Sequence, residues 1–188
     1  MGVYPGTFNP PTVAHLAIAE AAVEQAGLAR VDLVISRVAL GKETLDHPTA
    51  DERIAVLEAI TATRRWLGAH STPHQLLADI ADGSGAVILG ADKWAQITDP
   101  VWYGGSTSRR DDALEVLPLI LVAPRPPFPL PDDRHSGVQV LDIHPAHRSV
   151  SSSAVRNGTW AWMLDEARAS GLWSEDAGGI PDPSAPED

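Results

Sequence analysis

The chain has 188 residues, with 14 Lys and Arg against 25 Asp and Glu, a formal net charge of −11, and no cysteine. The lack of cysteine excludes disulfide frameworks, thiolate zinc sites and cysteine nucleophiles, and the acidic balance argues against partners such as nucleic acid or an anionic membrane. No apolar run reaches the ~18 residues of a membrane span, and the N-terminus lacks a basic stretch followed by an apolar one, so we expect a cytoplasmic protein.

The negative charge is concentrated at the C-terminus. Residues 174–188 contain five Asp and Glu and no Lys or Arg, in a Gly-, Pro- and Ser-rich context. Such a composition is typical of a disordered segment. We therefore predict a folded domain over residues 1–173 and an acidic disordered tail over 174–188.

Within the first 173 residues, apolar β-branched runs alternate with helical patterns. The predicted strands are 2–4, 31–35, 65–70, 86–89, 119–122 and 138–141. The predicted helices are 12–25, 75–80, 93–97 and 152–160. A further helix begins with a Thr49–Glu52 capping box and continues to residue 60. This alternation predicts an α/β fold, a single domain with a doubly wound, Rossmann-like parallel sheet and helices on both faces.

The segment Gly6–His15 (GTFNPPTVAH) follows the first predicted strand. In a doubly wound sheet, ligands bind at the carboxyl ends of the strands. Gly6 permits close approach of the backbone, Thr7 offers a hydroxyl, and Thr12 begins a helix whose N-terminus favours an anion that His15 can also face. From these residues alone, a phosphate site and a simple turn with a solvated histidine are equally well supported.

A second polar segment, Val150–Arg156 (VSSSAVR), precedes the last predicted helix. Ser151, Ser152 and Ser153 can cap that helix or donate to a phosphate, and Arg156 can add a guanidinium one turn later. Taken alone, this segment is better interpreted as a helix cap with a solvated arginine.

The two segments together resemble a known family. Gly6–His15 resembles the Gly-Thr/Ser-Phe-Asp-Pro-x-His/Thr-x-Gly-His signature of the adenylyl/cytidylyltransferase superfamily, and Val150–Arg156 resembles its Ile-Ser-Ser-Thr-x-Ile-Arg motif. The resemblance implies ATP as a partner. It also implies nucleotide-phosphate contacts from both motifs, made by Gly6, Thr7, Phe8, Thr12, His15, Ser151, Ser152, Ser153 and Arg156.

A third region is similar to the Gly-x-Asp and Trp-Tyr stretch of bacterial nicotinate/nicotinamide mononucleotide adenylyltransferases. It contains Gly90 and Asp92, followed by Trp102 and Tyr103. The similarity implies that Gly90 and Asp92 contact the nucleotide and that Trp102 or Tyr103 stacks on a pyridine ring. Core packing is an equal alternative for Trp102 and the favoured interpretation for Trp94.

The acceptor is less well defined by the motifs. The segment 4–8 and Thr12 look like phosphopantetheine adenylyltransferases, whereas the start of the second helix, at Arg53, looks like the pyridine-nucleotide enzymes. Asn9 replaces the usual aspartate, Ala14 replaces a glycine, and residues 71–77 depart from the family pattern. Three hypotheses remain: a pyridine-mononucleotide adenylyltransferase, an enzyme with another phosphorylated acceptor, and a nucleotide-binding protein with little turnover.

The resemblance also implies a mechanism. An acceptor phosphate, with Lys42 as its candidate contact, attacks the α-phosphorus of ATP in line and pyrophosphate leaves. This reaction needs positioning and charge neutralisation rather than a protein nucleophile. Mg²⁺ is expected on the ATP phosphates and water, with no dedicated protein metal site; His144 and His147, which flank Pro145, are predicted to lie on a surface loop. Whether the chain forms a homo-oligomer is left open.

Overall fold

The computed structural model describes residues 1–37, 47–132 and 136–173. Its strands are β1 (Gly2–Pro5), β2 (Val31–Ser36), β3 (Leu67–Thr72), β4 (Ala86–Gly90), β5 (Leu119–Ala123) and β6 (Val138–Val140). Its α-helices are α1 (Val13–Ala26), α2 (Ala50–Thr61), α3 (Leu77–Ala81), α4 (Ala91–Thr98), α5 (Thr107–Glu115), α6 (Pro145–Arg148), α7 (Ser152–Arg156) and α8 (Asp165–Ala169). Short 3-10 helices span Pro100–Tyr103 and Trp160–Trp162.

All strand pairings in the sheet are parallel, and the strand order is β3-β2-β1-β4-β5-β6. The chain therefore moves outward from β1 in one direction, through β2 and β3, and then in the other, through β4 to β6. The predicted doubly wound parallel sheet is confirmed. The order reverses between β1 and β4, which is the position where such sheets open a ligand-binding crevice at the carboxyl ends of the strands.

The sheet buries an apolar layer on each face. Alternate residues of one strand enter different layers, as Val87 does on one face and Ile88 on the other. This two-sided burial explains why the central strands read as continuous apolar runs. Trp94 of α4 is 4% exposed and packs in the layer of Val87, which confirms its predicted core position.

The helices that flank the first two strands begin and end where the sequence predicts. Thr12 caps α1, and Gly27 ends that helix with φ 62°, a left-handed conformation that suits glycine. At the start of α2 the Thr49 hydroxyl accepts from the backbone N–H of Glu52, whose carboxylate accepts from the N–H of Thr49 at 2.7 Å. The predicted capping box is confirmed.

Other helices differ from the sequence prediction. The helix expected over 152–160 ends at Arg156, because Asn157 and Gly158, with φ 106°, turn the chain away. Residues 145–148 form α6 rather than the predicted loop, with Pro145 at a permitted first-turn position. The sequence analysis missed α5, which buries no residue, and α8, which has five residues, since neither carries an apolar periodicity.

None of the helices in the described ranges combines the length and the hydropathy required to cross a membrane.

Gly68 of β3 makes room for a partly buried ion pair. It lies opposite Asp32 of β2, whose carboxylate accepts from Arg30 at 2.6 Å, and a Cβ at Gly68 would lie 2.1 Å from the Asp32 carboxylate. We expect Gly68→Ala to displace the pair and lower the free energy of unfolding by about 1–3 kcal/mol.

The matched control is Gly85→Ala, whose Cβ would meet only the Met1 carbonyl oxygen at 3.4 Å. This control should leave the stability within about 1 kcal/mol of wild type. Denaturant unfolding measures both, and equal midpoints for the two variants would contradict the steric argument.

Candidate functional site

A cleft opens at the carboxyl edge of the sheet, at the point where the strand order reverses. Its lining comes from the ends of β1, β4 and β5, the first turns of α1, and the region of α6. Gly90 lines the cleft, and its polar lining residues include Tyr4, Thr12, His15, Arg125, His147 and Arg148. The cleft thus joins predicted site residues from the first motif and from the region after β4.

His15 is held in one tautomer at the start of α1. Its Nδ1 accepts a hydrogen bond from the backbone N–H of Thr12 at 3.0 Å, and the Thr12 Oγ1 lies 2.8 Å from the same nitrogen. Because Nδ1 is an acceptor, the proton of the neutral ring is on Nε2. His15 can therefore act as a hydrogen-bond donor while uncharged.

The surroundings of His15 keep it neutral. The ring packs against Phe8 and Tyr4, with centroid distances of 5.0 and 6.0 Å. Burial, and less strongly the Arg125 guanidinium, lower the pKa of His15 to about 4, and the Asp92 carboxylate opposes this effect. Burial also raises the pKa of the Tyr4 hydroxyl above its usual value. At neutral pH the site presents an imidazole, not an imidazolium.

The loop between β1 and α1 is held from two sides. Arg53 of α2 donates to the carbonyl of Thr7, and Arg156 of α7 donates to the carbonyl of Asn9. Between these residues Phe8 has φ 45°, an unusual conformation for a residue with a side chain. The Phe8 ring is 1% exposed and lies against Gly6, where an added Cβ would be 2.9 Å from it. Gly6 and Phe8 therefore shape the loop, and the Phe8 side chain faces the core.

The end of the described chain bonds to the same loop. The Ser152 hydroxyl donates to the Pro10 carbonyl at 2.7 Å, and the Leu164 N–H donates to the Pro11 carbonyl at 3.2 Å. The buried Trp173 indole N–H donates to the Asn9 side-chain oxygen at 2.5 Å. These bonds place the two motifs side by side, although more than 130 residues separate them.

Two of the three serines keep a hydroxyl proton for another acceptor. The Ser151 oxygen accepts from the Ala154 N–H at 3.1 Å, and the Ser153 oxygen accepts from Arg156 at 3.3 Å. An oxygen that accepts in this way leaves its own proton to be donated. Ser152, by contrast, uses its proton on Pro10.

An ion pair lies at the ends of β4 and β5. Arg125 Nη1 is 3.3 and 3.2 Å from the two carboxylate oxygens of Asp92. Gly90 makes this position of Asp92 accessible, because a Cβ there would lie 2.4 Å from the Asp92 oxygen. The pair is partly exposed, so the Arg125 guanidinium also reaches the cleft.

The predicted acceptor residues are spread more widely. Trp102 is 64% exposed, on the 3-10 helix after α4, and does not line the cleft. Tyr103 donates its hydroxyl proton to the Ile97 carbonyl at 2.9 Å, and burial raises its pKa. Lys42 and the acidic segment 174–188 lie outside the described residues.

In the part of the chain that the structure describes, no three His, Asp or Glu side chains are grouped to hold a metal ion. His144 caps α6 by accepting from the Ala146 N–H, and its ring contacts that of His147 at a centroid distance of 6.1 Å.

Sequence reasoning missed three residues that shape the site: Arg53 as a contact of the loop, Arg125 in the cleft, and Trp173 on Asn9. For Arg125 a signal was present, since a lone arginine directly follows a buried strand, and the carboxyl end of such a strand faces the ligand crevice. The bonds made by Arg53 and Trp173 join distant parts of the chain, and no local pattern announces them.

The reversal point of this parallel sheet carries a cleft lined by His15, Arg125 and Arg148, and this is the position where doubly wound α/β proteins bind their ligands. The chain belongs to the cytidylyltransferase-like family, whose model matches residues 3–158.

Several individual proteins are similar to this chain. A probable nicotinate-nucleotide adenylyltransferase of Listeria monocytogenes is 25% identical over 170 residues, covering 84% of each chain. A phosphopantetheine adenylyltransferase of Dinoroseobacter shibae is 32% identical over 129 residues, covering 65% of this chain and 72% of the relative.

The fold is also that of solved structures. The nicotinic acid mononucleotide adenylyltransferase of Plasmodium falciparum, complexed with NaAD, superposes with a TM-score of 0.64 at 12% identity, covering 90% of this chain and 92% of that one. The same enzyme complexed with APC superposes with a TM-score of 0.58 at 13% identity, covering 83% of this chain and 81% of that one. These superpositions confirm the predicted fold, and the family model confirms the predicted superfamily.

Trp173→Phe tests the bond between the end of the described chain and the loop. The variant keeps an aromatic ring but leaves the buried Asn9 oxygen without its donor, so we expect a loss of about 1–3 kcal/mol in the free energy of unfolding. The control Trp102→Phe alters an exposed side chain and should change the free energy of unfolding by less than about 0.5 kcal/mol. Chemical denaturation compares the two, and equal effects would argue against the bond.

His15 should make the stability pH-dependent. In the folded protein its pKa is about 4, whereas an unfolded chain binds that proton near pH 6.5. As the pH falls from 6.5 to 4, His15 takes up its proton in the unfolded state before it does so in the folded state. The free energy of unfolding of wild type should therefore fall by about 3 kcal/mol relative to a variant with no ionisable side chain at position 15.

His15→Gln is the suitable reference, since a glutamine oxygen at this position can still accept from the Thr12 N–H. Urea unfolding at intervals from pH 4 to 8 gives both curves. The two should run parallel above pH 6.5 and diverge below it, and parallel curves throughout would show that His15 is not buried as described.

Proposed function

We propose that the protein transfers the adenylyl group of ATP to nicotinate or nicotinamide mononucleotide and releases pyrophosphate, a reaction of NAD biosynthesis. The observation that carries the proposal is the contact between the two motifs: Ser152 and Arg156 donate to the carbonyls of Pro10 and Asn9. These bonds hold the second motif against the loop of the first motif, whose His15 lines the cleft at the reversal point of the sheet. The similarity to the Listeria protein supports the choice of acceptor.

In this reaction an oxygen of the acceptor phosphate forms a bond to the α-phosphorus of ATP. The bond from that phosphorus to the bridging oxygen breaks, and the electron pair leaves with pyrophosphate. Negative charge therefore accumulates on the leaving group, and donors fixed in advance lower the barrier.

His15 is the donor best placed for this task. Its Nε2–H is free of the Thr12 contacts, and the ring is locked by Nδ1, so little reorganisation is needed. Thr12 lines the cleft, but it is fully buried and its hydroxyl lies 2.8 Å from His15 Nδ1, so of the two threonines we assign the phosphate contact to Thr7, which is partly exposed. The hydroxyl protons of Ser151 and Ser153 and the unused donors of Arg156 complete the phosphate site, and Ser152 fixes the loop.

The remaining predicted residues complete the ligand site. Gly90 and Asp92 are proposed to lie along the nucleotide, with Arg125 shared between the Asp92 carboxylate and a phosphate. Trp102, Tyr103 and Lys42 stay proposals for the acceptor.

Magnesium is proposed to enter with ATP. The Asp92 carboxylate, which we place along the nucleotide, is paired with Arg125, and the described residues contain no group of three His, Asp or Glu side chains that would hold a cation. Phosphate oxygens and water are the ligands that Mg²⁺ commonly keeps.

A second acceptor class has its own support. The Dinoroseobacter phosphopantetheine adenylyltransferase is the more identical of the relatives described above, at 32%. Phosphopantetheine would attack the same α-phosphorus, so the phosphate-site residues would keep their roles and only the acceptor site would differ.

Pyrophosphate release by the purified protein separates these choices. The protein is incubated with MgATP and, in parallel, with nicotinate mononucleotide, nicotinamide mononucleotide or phosphopantetheine. We expect release with a pyridine mononucleotide. Release with phosphopantetheine alone would establish the second class, and ATP binding without release for any acceptor would point to a nucleotide-binding protein.

His15→Ala should lower kcat about 10²–10³-fold, the usual cost of removing one fixed donor to a developing charge. His70→Ala is the control, because His70 is exposed on β3, away from the cleft. Steady-state kinetics with the preferred acceptor measures both. Wild-type turnover in the His15 variant would reject the assigned phosphate site.

A further inference from the structure

Arg53 is a buried arginine that reaches from α2 to the first motif. It is 6% exposed. Its Nε donates to the carbonyls of Pro48 and Thr49, at 3.2 and 3.3 Å, and its Nη1 donates to the carbonyl of Thr7. Among the described residues its three acceptors are backbone oxygens, so there the guanidinium is held by dipoles rather than by an opposite charge.

This makes Arg53 different from its neighbours. Arg37, before α2, pairs with the Asp51 carboxylate at 2.7 Å, and Arg64, after α2, pairs with Glu166 at 3.0 Å. Arg53 has no carboxylate partner within the described ranges. Placing a cation in the interior costs free energy unless an opposite charge offsets it. An anion bound at the adjoining loop would supply that charge.

The bond to Thr7 also acts on the strained part of the loop. Phe8 has φ 45°, and conformations of this kind persist only where the surrounding structure enforces them. Arg53 donates to the carbonyl of Thr7, the residue before Phe8, and Arg156 donates to the carbonyl of Asn9, the residue after it. Two arginines from distant elements thus fix the backbone of Thr7, Phe8 and Asn9.

We propose that Arg53 is a positioning residue of the nucleotide site: it fixes Thr7 through the carbonyl and gives the loop a fixed positive charge that a bound phosphate neutralises. The inference rests on the proposed function, because the neutralising anion is taken to be ATP. It predicts that ligand binding and turnover depend on Arg53 although its side chain does not line the cleft.

Two substitutions separate charge from geometry. Arg53→Met keeps much of the apolar stem and removes both the charge and the donors, whereas Arg53→Lys keeps the charge and loses the fork of donors. We expect ATP affinity, measured by calorimetry on the full-length protein, to fall about 10-fold in the Met variant, with the Lys variant in between.

Turnover should respond more strongly than affinity. A loop that is displaced slightly presents Thr7 in the wrong position for the transition state, so kcat should fall about 100-fold in Arg53→Met. The Lys variant should recover part of kcat. If the Met variant does not fold, the Lys variant alone still tests the inference, because its ATP affinity is expected to be lower than that of wild type.

Arg64→Met is the matched control. Arg64 lies beyond the opposite end of the same helix and donates to the Ile60 carbonyl and to Glu166. Its removal should lower the melting temperature but leave ATP affinity and kcat unchanged. If Arg53 had a purely structural role, its variants would behave like Arg64→Met. They would be less stable, but the folded protein would keep normal ATP affinity and kcat.

The outcomes distinguish the inference from the proposed function. If wild type binds ATP and the Arg53 variants bind it equally well with equal kcat, the inference is wrong and the proposed function stands. If wild type binds no ATP, the proposed function fails and the inference falls with it. Weaker ATP binding in both Arg53 variants, with the Arg64 variant unchanged, supports the inference.

Discussion

The carbonyl groups of the loop between β1 and α1 must find donors, and the rest of the site depends on where they find them. The loop contains Pro10 and Pro11, which have no N–H, so it cannot pair its own backbone groups as a helix or strand does. Its acceptors are met from elsewhere in the chain: the carbonyls of Thr7, Asn9, Pro10 and Pro11 accept from Arg53, Arg156, Ser152 and Leu164. Because the loop lacks hydrogen-bond donors of its own, its carbonyls bond to Ser152 and Arg156, and these bonds hold the second motif against the first.

Under the proposed function, the same arrangement accounts for an anionic ligand on a protein with net charge −11. Arg53 and Arg156 contribute charge next to the loop, and Arg125 contributes it inside the cleft. His15 does not add to that charge, since its low pKa keeps it neutral at pH 7. Its contribution is a directed hydrogen bond. Such a donor needs no proton uptake from solvent, so its role is insensitive to pH across the neutral range.

The sequence predicts those features whose cause is local. The Thr12 and Thr49 caps and the Gly27 stop lie within a few residues of the helix ends that they define. The apolar strands and their alternation with helices likewise predict the sheet. The hydrogen bond between Trp173 and Asn9 and the ion pair of Arg125 with Asp92 join residues that are 164 and 33 positions apart. Such contacts depend on the packed fold, so no short motif contains them.

Asn9 illustrates why the departures from the family motif need a structural interpretation. Its side chain is 4% exposed, and its oxygen accepts from the Trp173 indole. A carboxylate at this position would place a buried negative charge within the loop. An amide accepts the same hydrogen bond without that charge. Asn9 is therefore explained by its bond to the end of the folded chain, and the replacement is not by itself evidence of lost catalysis. Ala14, which lines the cleft, adds a methyl group there and bears on which ligand fits.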